Sequence, residues 1–361
     1  MAINMALNCI CPYYTMFPVE FPLEHLADMD KGWVLDPFCG RGTTLYAARK
    51  LGHSAVGIDI NPIAVTVARA KLSSSSPQQI IKLAEKLLDL DPDPSPSGDF
   101  WRWAFNRETF DQILRLRRGL RGRSGSVVES LRAIILGALH GPVLKTKISY
   151  FSNQMPRTFA TKPDYSVRYW SQRGMTPPKA NVLEIIKERA ERFFETSLPR
   201  CEGKVLKKDA CKQTNFHIKF DAIITSPPYF GMTTYLPDQW LRFWFLGGPD
   251  RPSYRDHRQV ALGSKEHFIR NLSRVWENAA RNSKSTARLI IRFGALSSAK
   301  SDPSEIIAES IRNTGWNIQT IKDAGFAEGS ARQAEQMGLN AKKSKAVQEI
   351  DVICFKGNKL I

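Results

Sequence analysis

Two short stretches of this sequence hold residue types that can do chemistry. Ser226-Pro227-Pro228-Tyr229 follows the apolar run from Phe220 to Thr225. Such a run reads as a buried strand that delivers its loop to the carboxyl edge of a sheet, where α/β proteins bind ligands. The two prolines fix a stiff bend and release the preceding carbonyls from ladder pairing. Those carbonyls and the Ser226 hydroxyl can accept hydrogen bonds from an amino group, and Tyr229 offers a ring face for stacking a base. A plain Pro-Pro turn with a packed tyrosine is the simpler reading of the same residues. The second stretch is Asp36-Pro37-Phe38-Cys39-Gly40-Arg41-Gly42-Thr43-Thr44. Its glycines let the backbone approach a ligand closely. It is not a phosphate-cradling loop, because no Lys follows Gly42, and not a dinucleotide fingerprint, because Leu45 stands where a third glycine belongs. Asp59 lies 19 residues after Gly40, at the end of the next apolar run. A carboxylate there can accept both hydroxyls of a ribose, so the pair predicts a ligand containing a nucleoside. Capping the segment opened by Asn61-Pro62 is the competing role for Asp59.

For these residues to meet, the chain must build a sheet. Trp33–Leu35 and Ala55–Asp59 read as strands, with helices after each that begin at the glycine turn and at Pro62, a β-α-β-α start typical of a parallel sheet. A further helix is expected from Gln78 to Leu90, and the Pro/Ser/Asp-rich stretch 91–98 reads as a linker. The middle third reads as an arginine-rich amphipathic helix from Trp101 to Leu120 and an apolar one from Val127 to Leu139. From Lys145 to Pro178 basic and aromatic residues interleave with prolines that favour loops, and Asn181 to Phe194 is again helical. Strand patterns resume at Lys204–Asp209, Phe220–Thr225, Ala287–Arg292, Trp316–Lys322 and Glu349–Phe355. That makes seven strands, the last two spaced for an antiparallel hairpin. The expected divisions are 1–94, 95–200 and 201–361.

Composition narrows the class. A 361-residue chain with 42% hydrophobic and 24% charged residues can bury a full core, which argues against wholesale disorder. No apolar run approaches a membrane span and no basic leader opens the chain, so a cytoplasmic location is expected. Six cysteines form neither a disulfide framework nor paired zinc knuckles. Formal net charge is +17, unevenly spread: residues 1–100 hold 8 basic and 11 acidic residues, 101–200 hold 19 and 8, and 201–361 hold 25 and 16. This asymmetry favours a polyanionic partner, most often nucleic acid.

Together the D-P-F-x-G-x-G-T-T turn, Asp59-Ile60-Asn61-Pro62 and T-S-P-P-Y resemble the S-adenosylmethionine-dependent DNA amino-methyltransferases of restriction-modification type, S-P-P-Y being similar to the cytosine-N4 branch. The stretch from Tyr14 to Phe21 resembles that family's motif preceding the glycine turn. The resemblance implies an α/β fold with a seven-stranded Rossmann-like methyltransferase sheet, mostly parallel with a C-terminal antiparallel hairpin, and a largely helical basic insertion. It implies S-adenosylmethionine as cofactor, bound by Thr15, Phe17, Asp36, Phe38, Gly40, Gly42, Thr43, Asp59, Ile60, Asn61, Asp209 and Ala210. Phe38, Gly40 and Gly42 would line the methionine part, Asp59 the ribose, Ile60 the adenine face, and Asp209 with Ala210 the adenine edge. Ser226, Pro227, Pro228 and Tyr229 would hold the target base. Double-stranded DNA is the implied partner, contacted by Arg157, Lys162, Arg168 and Arg173, with a cognate restriction endonuclease acting separately. In the family with the cofactor motif first, the recognition segment usually lies between the third and fourth motifs, whereas here the large insertion precedes Asp209.

An exocyclic base amine is a poor nucleophile until acceptors pull its protons out of the ring plane; Ser226 and the Pro227 carbonyl are suited to that. In-line attack on a sulfonium methyl then needs chiefly alignment, and no metal. Methylation at cytosine carbon 5 needs an attacking thiolate, usually in a Pro-Cys pair, and the sequence has no Pro-Cys dipeptide. The alternatives are adenine-N6 methylation, RNA guanine-N2 methylation, and a DNA-binding protein that keeps the fold without turnover.

Overall fold

The apolar runs offered as strands all enter one sheet. The computed structural model describes residues 5–13, 17–141, 147–153, 162–195, 198–230, 239–252, 264–294, 302–326 and 348–357. In chain order the elements are α1 (Glu20–Ala27), β1 (Trp33–Asp36), α2 (Thr43–Lys50), β2 (Ser54–Asp59), α3 (Pro62–Leu72), α4 (Pro77–Leu88), α5 (Asp99–Ala104), α6 (Arg107–Leu120), α7 (Ser126–Ala138), α8 (Pro163–Ser171), α9 (Val182–Phe194), β3 (Gly203–Lys207), β4 (Phe220–Thr225), α10 (Trp240–Phe245), α11 (Lys265–Arg281), β5 (Ser283–Gly294), α12 (Pro303–Ile311), β6 (Trp316–Phe326) and β7 (Gln348–Lys356). They fall into two compact units: residues 14–68, 199–234 and 256–361 in one, and 1–13, 69–198 and 235–255 in the other.

The first unit holds the sheet, in the order β3-β2-β1-β4-β5-β7-β6. Strands β1 to β5 run parallel, and β7 pairs antiparallel with both β5 and β6. The seven strands and the C-terminal antiparallel hairpin expected from the sequence are therefore present. Four of the six residues of β4 form an unbroken buried run to its end, as expected for a strand covered on both faces. Phe268, Leu272, Val275, Trp276 and Ala279 recur on one face of α11 and are buried in the core with Leu289, Ile291 and Phe293 of β5. Each large side chain buried there contributes about 1.5–3 kcal/mol. Polar tips inside this core are satisfied: the Trp276 indole N–H donates to the Ser310 hydroxyl at 3.0 Å, and that of Trp316 to the Trp276 carbonyl at 2.9 Å.

The second unit is helical among its described residues and differs from the sequence reading in three places. Its main segment begins at Arg69, not in the 91–98 stretch. That stretch reads as a linker by composition, yet Asp93 is buried and ion-paired with Arg117 and Arg121 of and just after α6. The single helix expected over 101–120 is two, α5 and α6. Phe105 is extended at φ −131° and ψ 140°, and the Asn106 side chain accepts from the Glu108 N–H at 3.1 Å, starting a new helix. Residues 163–171, expected as loop because of their prolines, form α8: Pro163 stands in its first turn, where a missing N–H costs nothing.

Candidate active site

Parallel pairing puts the carboxyl ends of β1, β2, β3 and β4 on one edge of the sheet, where Asp36 and the glycine turn, Asp59, the Asp209 loop and the S-P-P-Y loop lie. Asp36 closes β1. It is buried, its Oδ1 accepts from the Thr225 hydroxyl at 2.6 Å and the Phe38 N–H at 3.1 Å, and its Oδ2 is buried without a hydrogen-bond partner among the described residues. Burial pushes its carboxyl up to about 6, against hydrogen bonds from Thr225, Thr44 and the Phe38 N–H that favour the ion. An orphaned carboxylate oxygen in such a place suits a cation. The turn that follows is left-handed at Gly40 (φ +48°) and Gly42 (φ +79°), and a Cβ on Gly40 would meet nothing within 4 Å, so open space lies above it. Gly42 caps α2 with no side-chain acceptor, leaving the first N–H groups from Thr43 onward without a side-chain cap. Phe38 lies edge-on to Trp276, with ring centroids 6.4 Å apart.

Asp59 closes β2 and braces this turn: its Oδ2 accepts from the Gly40 N–H at 2.9 Å and its Oδ1 from the Asn61 N–H at 2.8 Å. Burial raises its carboxyl to about 6 as well. The cap of α3 is Asn61, whose Oδ1 accepts from the Ile63 N–H at 2.9 Å, so the capping role weighed for Asp59 falls to its neighbour. Ile60 is 51% exposed, an apolar side chain left in the open beside the carboxylate. After β3, Asp209 Oδ1 accepts from the Cys211 N–H at 2.9 Å, and the Ala210 carbonyl accepts from the Asn278 side chain of α11 at 3.0 Å. The Lys208 N–H donates to the Asp59 carbonyl at 3.1 Å, which ties this loop to β2.

Ser226, Pro227, Pro228 and Tyr229 leave β4 at the same edge. Ser226 is half-buried and Pro227 buried, and no hydrogen bond among the described residues occupies the Ser226 hydroxyl. Tyr229 is more constrained than a free stacking face. Its hydroxyl donates to Glu349 Oε1 on β7, and its ring meets Phe293 edge-on at 5.8 Å. Burial, followed by the Glu349 charge, holds that hydroxyl well above 10.

Phe17 packs edge-on against Phe21 at 5.4 Å, and the Arg292 guanidinium lies 4.1 Å from the Phe21 ring while its fork holds Asp351 at 2.8 and 2.7 Å. Thr15 and Arg157 lie outside the described residues. Lys162, Arg168 and Arg173 are exposed at and around α8 in the helical unit. Three residues of the sheet unit escaped the sequence reading. Thr225 was visible in T-S-P-P-Y, but its bond to Asp36 spans 189 positions. Glu349 sits in a strand with no local mark. Gly57 reads as an ordinary strand residue, yet a Cβ there would come within 2.9 Å of Cys39 Sγ and Leu45 Cδ2, so only glycine lets the turn lie this close.

The sheet order, the glycine turn after β1 and the carboxylate ending β2 define a Rossmann-like methyltransferase fold. Residues 12–70 match the DNA methylase family model N6_N4_Mtase. The chain is similar to the Type II methyltransferase M.BsoBI of Geobacillus stearothermophilus, 25% identical over 253 residues, 63% of this chain and 50% of that one. It is also similar to the Type II methyltransferase M.MjaII of Methanocaldococcus jannaschii, 39% identical over 57 residues, 16% of this chain and 10% of that one. The chain thus spans at most about half the length of these curated relatives. Among solved structures it aligns with the rRNA methyltransferase aviRa of Streptomyces viridochromogenes, at 13% identity and a TM-score of 0.38, over 98% of this chain and 94% of that one. No helix among the described residues is long and apolar enough to cross a membrane.

Proposed function

We propose that the protein transfers the methyl group of S-adenosylmethionine to the exocyclic N4 amine of cytosine in duplex DNA. The observation that carries this reading is the 2.6 Å hydrogen bond from Thr225 to Asp36, which joins the root of the S-P-P-Y loop to the glycine turn. A cofactor bound at the turn and a base held by the loop then share one fixed frame, and alignment is what in-line methyl transfer requires. The residues fit the cofactor. The orphaned Asp36 Oδ2 suits an α-ammonium group, Gly40 leaves room for the methionine chain beside Gly42, Asp59 suits the ribose hydroxyls, and exposed Ile60 suits the adenine face. Thr43, Asn61, Asp209, Ala210 and Phe17 would complete that lining, with Phe38 beside the methionine part. When bound, the cofactor supplies an electrophilic methyl on a sulfonium.

The chain's own contribution is to the amine. The Ser226 hydroxyl and Pro227 carbonyl accept hydrogen bonds from its two N–H groups and turn the nitrogen lone pair out of conjugation, the surplus proton leaving to solvent after transfer, and Tyr229 supports the base. A neutral hydroxyl at position 226, where adenine-directed relatives usually offer a carboxylate or amide, favours cytosine. Lys162, Arg168 and Arg173 contact DNA from the helical unit, and a restriction endonuclease acting separately is the natural companion. The test is incubation with tritiated S-adenosylmethionine and duplex DNA, followed by mass spectrometry of the digested nucleosides. N4-methylcytosine is expected, and Ser226→Ala should slow its formation about ten- to a hundredfold with cofactor binding intact. N6-methyladenine as the sole product would overturn the choice of base, and 5-methylcytosine the mechanism.

A further inference from the structure

Most strongly basic stretches of the helical unit are already engaged within it. Arg117 and Arg121 share Asp93, Arg69 and Arg132 share Glu129, and Arg115 donates to the Leu88 and Leu90 carbonyls at the end of α4. A positive sequence there does not translate directly into a positive surface. Helix α8 differs. Its inner face is fixed by Ser166 and Trp170, both fully buried. Its outer face, at one-turn spacing, carries Tyr165, Arg168, Tyr169 and Gln172, flanked by Lys162 and Arg173.

Tyr165 is 45% exposed and stacks on Tyr169 with ring centroids 6.4 Å apart and planes at 29°. The Arg173 guanidinium lies 4.0 Å from the centroid of the Tyr169 ring and donates to the Tyr169 carbonyl at 3.3 Å. The two tyrosines and Arg173 therefore form a braced outer wall that the burial of the helix does not need, because Trp170 supplies that. Arg168 and Gln172 stand four residues apart on the same face, exposed, and Arg168 makes no ion pair among the described residues. The helix's one acidic residue, Asp164, sits in its first turn.

We infer that α8 is the helix that enters the major groove of the target duplex, with Arg168 and Gln172 reading base edges and Lys162 and Arg173 holding flanking phosphates. The inference rests on the reading of the protein as a DNA methyltransferase and adds the element that selects the sequence. An α-helix fits the major groove, where arginine pairs with the O6 and N7 of guanine and glutamine with the N6 and N7 of adenine. Positions i and i+4 stand about 6 Å apart along the axis, close to two base-pair steps, so the two side chains can address pairs two steps apart. The net charge of +17 and the cations around this face match a polyanion.

The experiment incubates wild type and R168A/Q172A with a pool of short duplexes whose centre is randomised, sequences the bound fraction, and measures cofactor affinity by calorimetry in parallel. Wild type should enrich a defined motif. The double variant should bind cofactor normally but lose the preference at one or more positions, about tenfold for each lost contact. R168K, which keeps the charge but not the bidentate fork, should lose the preference at one position only, and it keeps the inference open to refutation if the double variant unfolds. Enrichment of the same motif to the same extent by the variants overturns the role of α8 and leaves the DNA reading standing. Wild type that retains no duplex overturns both.

Discussion

Asp36 and Asp59 both hold their protons up to about pH 6, chiefly because burial disfavours the charged form, and each also feels hydrogen bonds that favour the ion. A raised carboxyl contributes stability that is fully present below its unfolded value near 4 and is lost as pH rises through about 6, so ionising the two carboxylates at neutral pH costs stability. A ligand that pairs an ammonium with Asp36 favours the ion and binds in the opposite sense, best above pH 6. We therefore expect cofactor affinity to fall about tenfold between pH 7 and pH 5 for each carboxylate engaged, measured by calorimetry on protein shown to be folded at both values. Affinity that stays flat over this range would remove Asp36 and Asp59 from the binding site. The Tyr229 hydroxyl, a neutral donor at these pH values, is held by Glu349. Glu349→Gln keeps an acceptor and should preserve turnover, whereas Glu349→Ala frees the ring and should slow methyl transfer about tenfold. If both variants match wild type, the bond positions nothing the reaction uses.

Between residue and molecule, the unit that matters is β1, the glycine turn and β2 taken together. Gly57→Ala places a methyl group 2.9 Å from Cys39 Sγ and Leu45 Cδ2, and the turn must move outward to make room. Overpacking of this kind costs about 1–3 kcal/mol, and because the displaced segment carries Gly40 and the Asp59 contact, cofactor affinity should drop along with the melting temperature. A destabilised variant with unchanged affinity would show that the turn moves without consequence for the site. Much of this element was legible in the sequence, since Asp36 to Thr44 and Asp59 are local patterns with a chemical meaning. Helix α9 was legible too, because Asn181 supplies a cap and its side chain does accept from the Glu184 N–H at 3.1 Å. What stayed hidden depends on backbone angles or on register. The break between α5 and α6 turns on one extended residue, Phe105, inside a continuous amphipathic pattern. Helix α8 was masked by Pro163, whose place in the first turn makes it a starter instead of a breaker. Helix α11 is different: Phe268, Leu272, Val275, Trp276 and Ala279 at helical spacing after a Ser264 cap are a local pattern that was legible and passed over. The Tyr229–Glu349 contact arises because β7 folds back beside β5, pairing Gly294 with Glu349, and no local stretch of sequence states that pairing.

For the molecule as a whole, the surplus of 52 basic over 35 acidic residues is the property a polyanion meets first, but its parts do different work. The Arg117 side chain is 17% exposed, donates to Asp93 at 2.9 Å and to the Trp244 carbonyl at 3.1 Å, and lies over the Trp244 ring at 4.9 Å. Its charge is consumed in holding the helical unit together. Lys162 and Arg173 lie exposed at the two ends of α8. The logarithm of duplex affinity should fall linearly with the logarithm of salt concentration, with a slope near 0.9 for each phosphate neutralised, so that six contacts would lose about a thousandfold between 50 and 200 mM salt. Within that behaviour the two kinds of cation should separate. Lys162→Ala and Arg173→Ala should each lower the slope by about one while leaving the melting temperature near wild type. Arg117→Ala leaves Asp93 buried with one partner fewer, and should destabilise the fold by about 1–3 kcal/mol while the slope stays the same. Titrations at several salt concentrations, paired with thermal melts, decide between them: a slope that responds to Arg117 and ignores Lys162 and Arg173 would move the DNA-facing surface away from α8.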